Sequence, residues 1–192
     1  NRDPVTHTFF IDEPQNLPVF SLVTDSVHLF SDESGIMVKG TNGSPGYCTS
    51  LPYNLNRDWE RPVNLEFFEL GGEQVLNQQC GTKVYGGCSR IRYPQKSLAF
   101  FARSKYETSS FEYSLFPDKE AESYESFILR ASADDQPKTL FRDPLSHMLV
   151  KDVIDVDYQA YRPVVLYING SYYGITNLRE KINEHYPANN YD

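Results

Sequence analysis

The stretch PVVLYINGSYYGITNL, residues 163–178, reads as two strands around a tight turn. Pro163 to Ile168 and Tyr172 to Leu178 are rich in β-branched and aromatic residues, and Asn169-Gly170 supplies the positive φ angles that a type I′ turn needs. Working outward, Pro62 to Glu69 alternates, with Val63, Leu65 and Phe67 on one face. Leu17 to Val23, Lys96 to Arg103 and Phe127 to Arg130 read as further strands, and Gln74 to Val84 as a hairpin-like pair interrupted near Gly81. Asp143-Pro144 opens a helix, with Asp143 as N-cap and Pro144 at the first helical position. Leu145, Met148, Leu149 and Val153 share one face at helical spacing, the pattern of a core-facing stripe. A short helix is expected from Glu180. About seven strands and one or two helices give an α+β class, mostly antiparallel β-sheet.

The chain has 192 residues, enough for one domain or two small ones. Residues 1–16 are polar, with Pro4 and Pro14, and read as an N-terminal arm before a domain over 17–192. Asp plus Glu total 26 against 18 Lys plus Arg, and a net charge of −8 speaks against a general nucleic-acid binder. No run of 18 apolar residues exists, so no transmembrane segment is expected. Cys48, Cys80 and Cys88 lack the paired spacing of a zinc site and read as ordinary thiols, or as one disulfide with a spare. His7, His28, His147 and His185 are scattered without ligand spacing. Asp155-Val156-Asp157 has the form of a metal-binding DxD but follows a helix, where a solvated turn explains it. No metal site is therefore assigned.

Charge is segregated along the chain. Between Gly81 and Lys105 lie six basic residues, Lys83, Arg90, Arg92, Lys96, Arg103 and Lys105, and no Asp or Glu; eight acids follow between Glu107 and Asp135. Like charges repel in a folded state, and an anion held among them would offset that repulsion. Gly86-Gly87 precedes the basic run, and glycines let a backbone approach a phosphate closely. A tight hairpin with arginines splayed into solvent is the alternative. Lys96 and Arg103 differ by seven residues, so a regular strand points them to opposite faces. Both reach one ligand only if a bulge intervenes; otherwise one has a structural partner. Asn169 to Gly174 is aromatic and turn-rich, which suits stacking on a sugar or base, or plain packing across a hairpin.

Several motifs in order resemble the spore coat protein H (CotH) kinase-like family. They run from Arg57-Asp58-Trp59-Glu60-Arg61-Pro62 and Glu66-Phe67-Phe68 through Tyr85-Gly86-Gly87-Cys88-Ser89-Arg90 and Pro94-Gln95-Lys96-Ser97-Leu98. Ala102-Arg103-Ser104-Lys105-Tyr106, Leu115-Phe116-Pro117, Gln159-Ala160-Tyr161-Arg162-Pro163, Asn169 to Gly174 and Leu178-Arg179-Glu180-Lys181-Ile182 continue the set. The resemblance implies the N-terminal, nucleotide-binding portion of an atypical protein-kinase-like fold. It also implies ATP with a divalent cation such as Mg, and transfer of the γ-phosphoryl group to serines of surface or coat proteins. Arg90, Lys96 and Arg103 then belong to the nucleotide site, and Glu180 pairs with a lysine near it. The catalytic residues are expected beyond Asp192, so that this portion alone is inactive. Two departures stand out: Ala133-Asp134-Asp135 replaces Gly-Asn-Asp, and Thr176 stands where an aromatic is common.

The alternative reading is a non-catalytic binding or structural module of the spore coat or cell envelope, whose basic strand docks an acidic partner or anionic polymer. Both readings make coat or envelope proteins the partners. Three thiols and the Asn42 and Asn169 sequons lean towards an extracytoplasmic location.

Overall fold

A computed structural model describes residues 6–13 and 16–191. Seven strands form a closed barrel: β1 (Val19–Val23), β4 (Arg61–Phe68), β5 (Gln74–Tyr85), β6 (Ser97–Phe101), β7 (Ser126–Arg130), β9 (Ser171–Glu180) and β8 (Tyr161–Ile168), in that spatial order. Two short strands, β2 (Ser44–Gly46) and β3 (Thr49–Tyr53), make a separate small sheet. The helices are brief: α1 (Ser26–Phe30), α2 (Ser89–Arg92), α3 (Arg142–Val150) and α4 (Tyr186–Asn190).

The expected α+β class, mostly antiparallel sheet in a kinase-like N-terminal portion, is corrected by this closure. Neighbours along the barrel are antiparallel except β1 and β8, which pair in parallel, Val19 beside Val165. Closure follows from side-chain alternation. Each barrel strand puts an apolar set inward, among them Phe20, Leu65, Phe100, Phe127, Leu166 and Leu178, and all of these are buried in one cluster. A sheet with one continuous apolar face and two free edges satisfies both needs by curling shut. Inside, Phe20 stacks on Phe67 at 4.2 Å and Phe100 on Phe127 at 5.2 Å.

The hairpin forms as its residues dictate, with Asn169 at φ 50° and Gly170 at φ 78°. Other local expectations are corrected. Gln74 to Tyr85 is one unbroken strand, because Gly81 stays paired to Pro62 on one side and Phe101 on the other. Glu180 ends β9, and the last helix begins only at Tyr186. Asp143 does not cap α3: Phe141 holds that position, and the carboxylate instead accepts from Arg130 at 2.8 Å and Arg179 at 2.5 Å. The expected apolar stripe faces outward, with Leu145, Met148 and Leu149 of α3 exposed, and Val153, which lies past the end of the helix, exposed as well; the helix buries Pro144.

The arm expected over 1–16 falls partly on residues 1–5, 14 and 15, which lie outside the described residues. Of the rest, Thr8 donates its backbone N–H to the buried Glu66 at 3.2 Å, and Phe10 packs edge-on against Phe68 at 5.2 Å. Cys48 and Cys88 form a disulfide that ties the β2–β3 turn to the start of α2, and Cys80 is free and buried. Burial raises the Cys80 thiol pKa, so it stays protonated.

Candidate functional site

The connection from β5 to β6 carries α2 and two of the expected phosphate-binding residues, Arg90 and Lys96. Gly86 turns the chain at φ 106°, where a side chain would be strained. Arg90 then folds back over this turn, its Nε donating to the Gly86 carbonyl at 2.5 Å and its NH1 to the Leu55 carbonyl at 2.8 Å. Neither partner is a charge, and among the described residues no carboxylate lies within salt-bridge distance of Arg90.

Lys96 immediately precedes β6 and is only 9% exposed. Its ammonium donates to the Tyr93 carbonyl, and among the described residues it too has no carboxylate partner. Burial holds its pKa below the ordinary lysine value, and the nearby charge of Lys39 pushes the same way. A buried cation beside a second cation is a costly arrangement that an anion relieves. The backbone around it is fixed from three sides. Tyr173 Oη accepts from the Lys96 N–H at 2.5 Å, Gln95 donates its side-chain amide to the Ile175 carbonyl at 3.1 Å, and Ser97 Oγ accepts from the Ala131 N–H at 2.9 Å.

Arg103 and Glu180 lie elsewhere. Arg103 follows the opposite end of β6, and its Nε donates to Glu60 at 3.1 Å. Glu60 also accepts from Tyr106 at 3.0 Å and pairs with Lys105 at 2.9 Å. Of the two ways to reconcile the seven-residue spacing, Arg103 therefore takes the structural partner. Glu180 shares a rung with Phe127, which in turn pairs Phe100. Lys96 is four residues before Phe100, which puts about 13 Å of strand between the two levels. The lysine that meets Glu180 is Lys119, at 3.7 Å. The carboxylate also accepts from the Ala160 N–H at 2.7 Å and the Asn190 amide at 2.9 Å. The structure thus groups Arg90 and Lys96 on one connection and separates Arg103 and Glu180 from them.

Sequence reasoning missed Lys39, Tyr173 and Lys119. Lys39 and Lys119 carry no local signal, because only long-range pairing brings them in. Tyr173 was visible as part of an aromatic hairpin, but its hydroxyl partner lies 77 positions away. Thr176, the residue found where an aromatic is common, is buried, and its hydroxyl has no partner among the described residues. The departure at Ala133 has a backbone meaning: its φ is +45°, and Ser132 before it is at +58°. Glycine adopts this region without the clash that a Cβ brings.

A polyphosphate needs cations that no carboxylate has claimed, and among the described residues neither Arg90 nor Lys96 has a carboxylate within salt-bridge distance, although the charge of Asp58 acts on Arg90. The divalent cation does not find the same support. Among the described residues no group of three or more His, Cys, Asp or Glu side chains is arranged to hold a metal, Asp155 and Asp157 included.

Among curated proteins none matches the chain. A model of the CotH kinase protein family matches residues 83–192, from within β5 through α4. That is more than half of the sequence and takes in Arg90, Lys96, Arg103 and Glu180, so the chain belongs to the CotH kinase protein family.

Proposed function

We propose that this chain binds ATP through Arg90 and Lys96 and serves transfer of the γ-phosphoryl group to serines of surface or coat proteins. The observation that carries the reading is the Lys96 ammonium, 9% exposed as a residue and facing a carbonyl and another lysine rather than a carboxylate. Bound ATP supplies the phosphoryl group; the chain's own cations hold its phosphate oxygens and offset their charge. Arg90 is always protonated and offers the guanidinium donors that the Gly86 and Leu55 carbonyls leave free, whereas Lys96 acts as a point charge. Arg103, neutralised by Glu60, contributes to the fold around β6. No step is assigned to a metal ion, because among the described residues no three or more His, Cys, Asp or Glu side chains cluster to hold one.

An extracytoplasmic or coat location is supported by the Cys48–Cys88 disulfide, since such bonds persist in oxidising compartments. Among the described residues no helix is long and apolar enough to cross a membrane. A second reading, a non-catalytic binding module of the coat or envelope, is favoured by the outward apolar stripe of α3, since exposed apolar patches mark protein contacts.

Calorimetric titration of ATP and of pyrophosphate into wild type and Lys96→Ala, at low and high salt, tests the nucleotide reading. A charge-assisted contact contributes roughly 1.5–3 kcal/mol, so Lys96→Ala weakens binding on the order of tenfold or more. Equal binding by the two proteins at both salts removes Lys96 from the site and leaves the binding-module reading as the better one.

A further inference from the structure

The β8–β9 hairpin contains an irregularity that its turn does not require. Tyr167 pairs with Tyr172 and Leu166 with Gly174, so Tyr173 is an extra residue opposite no partner of its own. This is a β-bulge, a device that bends a strand and re-aims a side chain. Here it aims the Tyr173 ring against the barrel core, while Tyr172 beside it is exposed.

Gly174 makes that geometry possible. It sits at φ +138°, and a Cβ there would lie 2.7 Å from the side-chain amide of Gln95. Gln95 is the residue just before Lys96. The bulge therefore does two things at once: it brings the β9 backbone against the loop that carries Lys96, and it delivers the Tyr173 hydroxyl to the Lys96 backbone. That hydroxyl accepts from the Lys96 N–H at 2.5 Å and donates towards the Lys96 carbonyl at 3.3 Å. Both backbone polar groups of the lysine are held by one atom. Burial pushes the Tyr173 pKa up to about 12, so the phenol keeps the proton that it donates.

We propose that Tyr173 is a positioning residue for phosphate binding: its hydroxyl, aimed by the bulge at Gly174, fixes the Lys96 backbone so that the ammonium is presented to a phosphate in one orientation. The proposal rests on the reading of Lys96 as a phosphate ligand. Its physical content is preorganisation. A lysine on a mobile loop loses freedom when it binds an anion, whereas one whose root is already clamped does not, and the difference appears as affinity. Gln136 adds to the clamp from the other side by donating to the Gln95 carbonyl at 3.1 Å.

The test is a double-mutant cycle with pyrophosphate as the probe, read by calorimetry on wild type, Tyr173→Phe, Lys96→Ala and the double variant. Tyr173→Phe keeps the ring and removes only the hydroxyl. It removes both hydrogen bonds to the Lys96 backbone and is expected to weaken pyrophosphate about fivefold. In the Lys96→Ala background the same change is expected to do nothing further, because the two act through one contact. A hydroxyl that merely stabilises the hairpin lowers Tm alike in both backgrounds and leaves affinity untouched. If Lys96→Ala weakens binding and Tyr173→Phe does not, the positioning role is overturned while the phosphate reading stands. If Lys96→Ala binds as wild type does, that reading falls and the proposal falls with it. Amide hydrogen exchange on the unmodified protein provides a measurement independent of any variant's folding. The Lys96 amide is expected to be protected in the absence of pyrophosphate, and rapid exchange there would mean that the clamp does not exist in solution.

Discussion

The two ends of β6 carry one cation each, and their surroundings differ in kind. At one end Lys96 is buried, faces a carbonyl and another lysine, and has its pKa lowered by burial and by Lys39. At the other end Arg103 is more exposed and joins Lys105 and Tyr106 around Glu60. Both residues come from the same acid-free run of sequence. What separates a candidate ligand from a structural cation is the carboxylate that long-range folding brings to one and not to the other.

The sharpest break in this comparison comes from a third cation, Lys119, whose partner Glu180 is buried. Glu180→Ala removes the acceptor for the Ala160 N–H and the Asn190 amide and leaves Lys119 without its counter-ion. Stripping one member from such a buried pair costs about 3 kcal/mol or more. Urea unfolding is expected to show that loss, and a change under 1 kcal/mol would place Glu180 among solvated groups. Next in size is Lys96→Met, which removes a charge but keeps the volume. It is expected to weaken pyrophosphate about tenfold while leaving the free protein as stable as before or more so; Arg103→Met is expected to leave pyrophosphate affinity unchanged. Reversal of that contrast exchanges the roles of the two ends.

Ala133→Gly follows. Residue 133 lies in the segment packed on the Lys96 loop, and its left-handed backbone carries strain of roughly 1 kcal/mol that glycine relieves. The substitution is expected to raise Tm by a few degrees. No gain would mean that the chain entropy glycine adds to the unfolded state cancels the relief.

The smallest effect is in pH dependence. Burial acts to raise the Glu60 pKa, but hydrogen bonds from Lys105 and Tyr106 and the charges of Arg103 and Lys105 outweigh it, and the net shift is downward from 4.5. A depressed carboxylate stabilises the fold above its unfolded value and loses that contribution as pH falls through the folded one. The pair is partly exposed, so solvent screening keeps the contribution at a few tenths of a kcal/mol. Lys96 has the opposite sign: its pKa is lowered, so the unfolded chain binds the proton more tightly and stability rises as pH climbs towards 10.5. Stability against pH in Glu60→Gln is therefore expected to flatten at the acid limb alone, and in Lys96→Met at the alkaline limb alone.

What the sequence made legible was local. Asn169-Gly170 fixes its turn by the conformations those two residues tolerate, and Val63, Leu65 and Phe67 announce their face by alternation. The barrel was not legible, because the parallel pairing of Val19 with Val165 leaves no mark on either strand. Asp143 shows the same limit within a single residue. Its position before Pro144 matches a cap, but two arginines from neighbouring strands, Arg130 and Arg179, claim its carboxylate instead. Arg90 and Lys96 stood out by charge and motif, yet that neither has a carboxylate within salt-bridge distance among the described residues depends on how distant parts of the chain fold.

The parallel seam between β1 and β8 also governs when the domain can exist. Val19 to Leu22 is synthesised well before its partners Val165 to Ile168, with the barrel strands β4, β5, β6 and β7 between them in the chain. Until then β1 presents a free, apolar edge, a template for pairing with another chain. Contacts this distant in sequence form slowly, since loop closure precedes any gain from them. Refolding is therefore expected to compete with aggregation, with a yield that falls as protein concentration rises, and a separate chain containing residues 1–160 would keep the β1 edge open indefinitely.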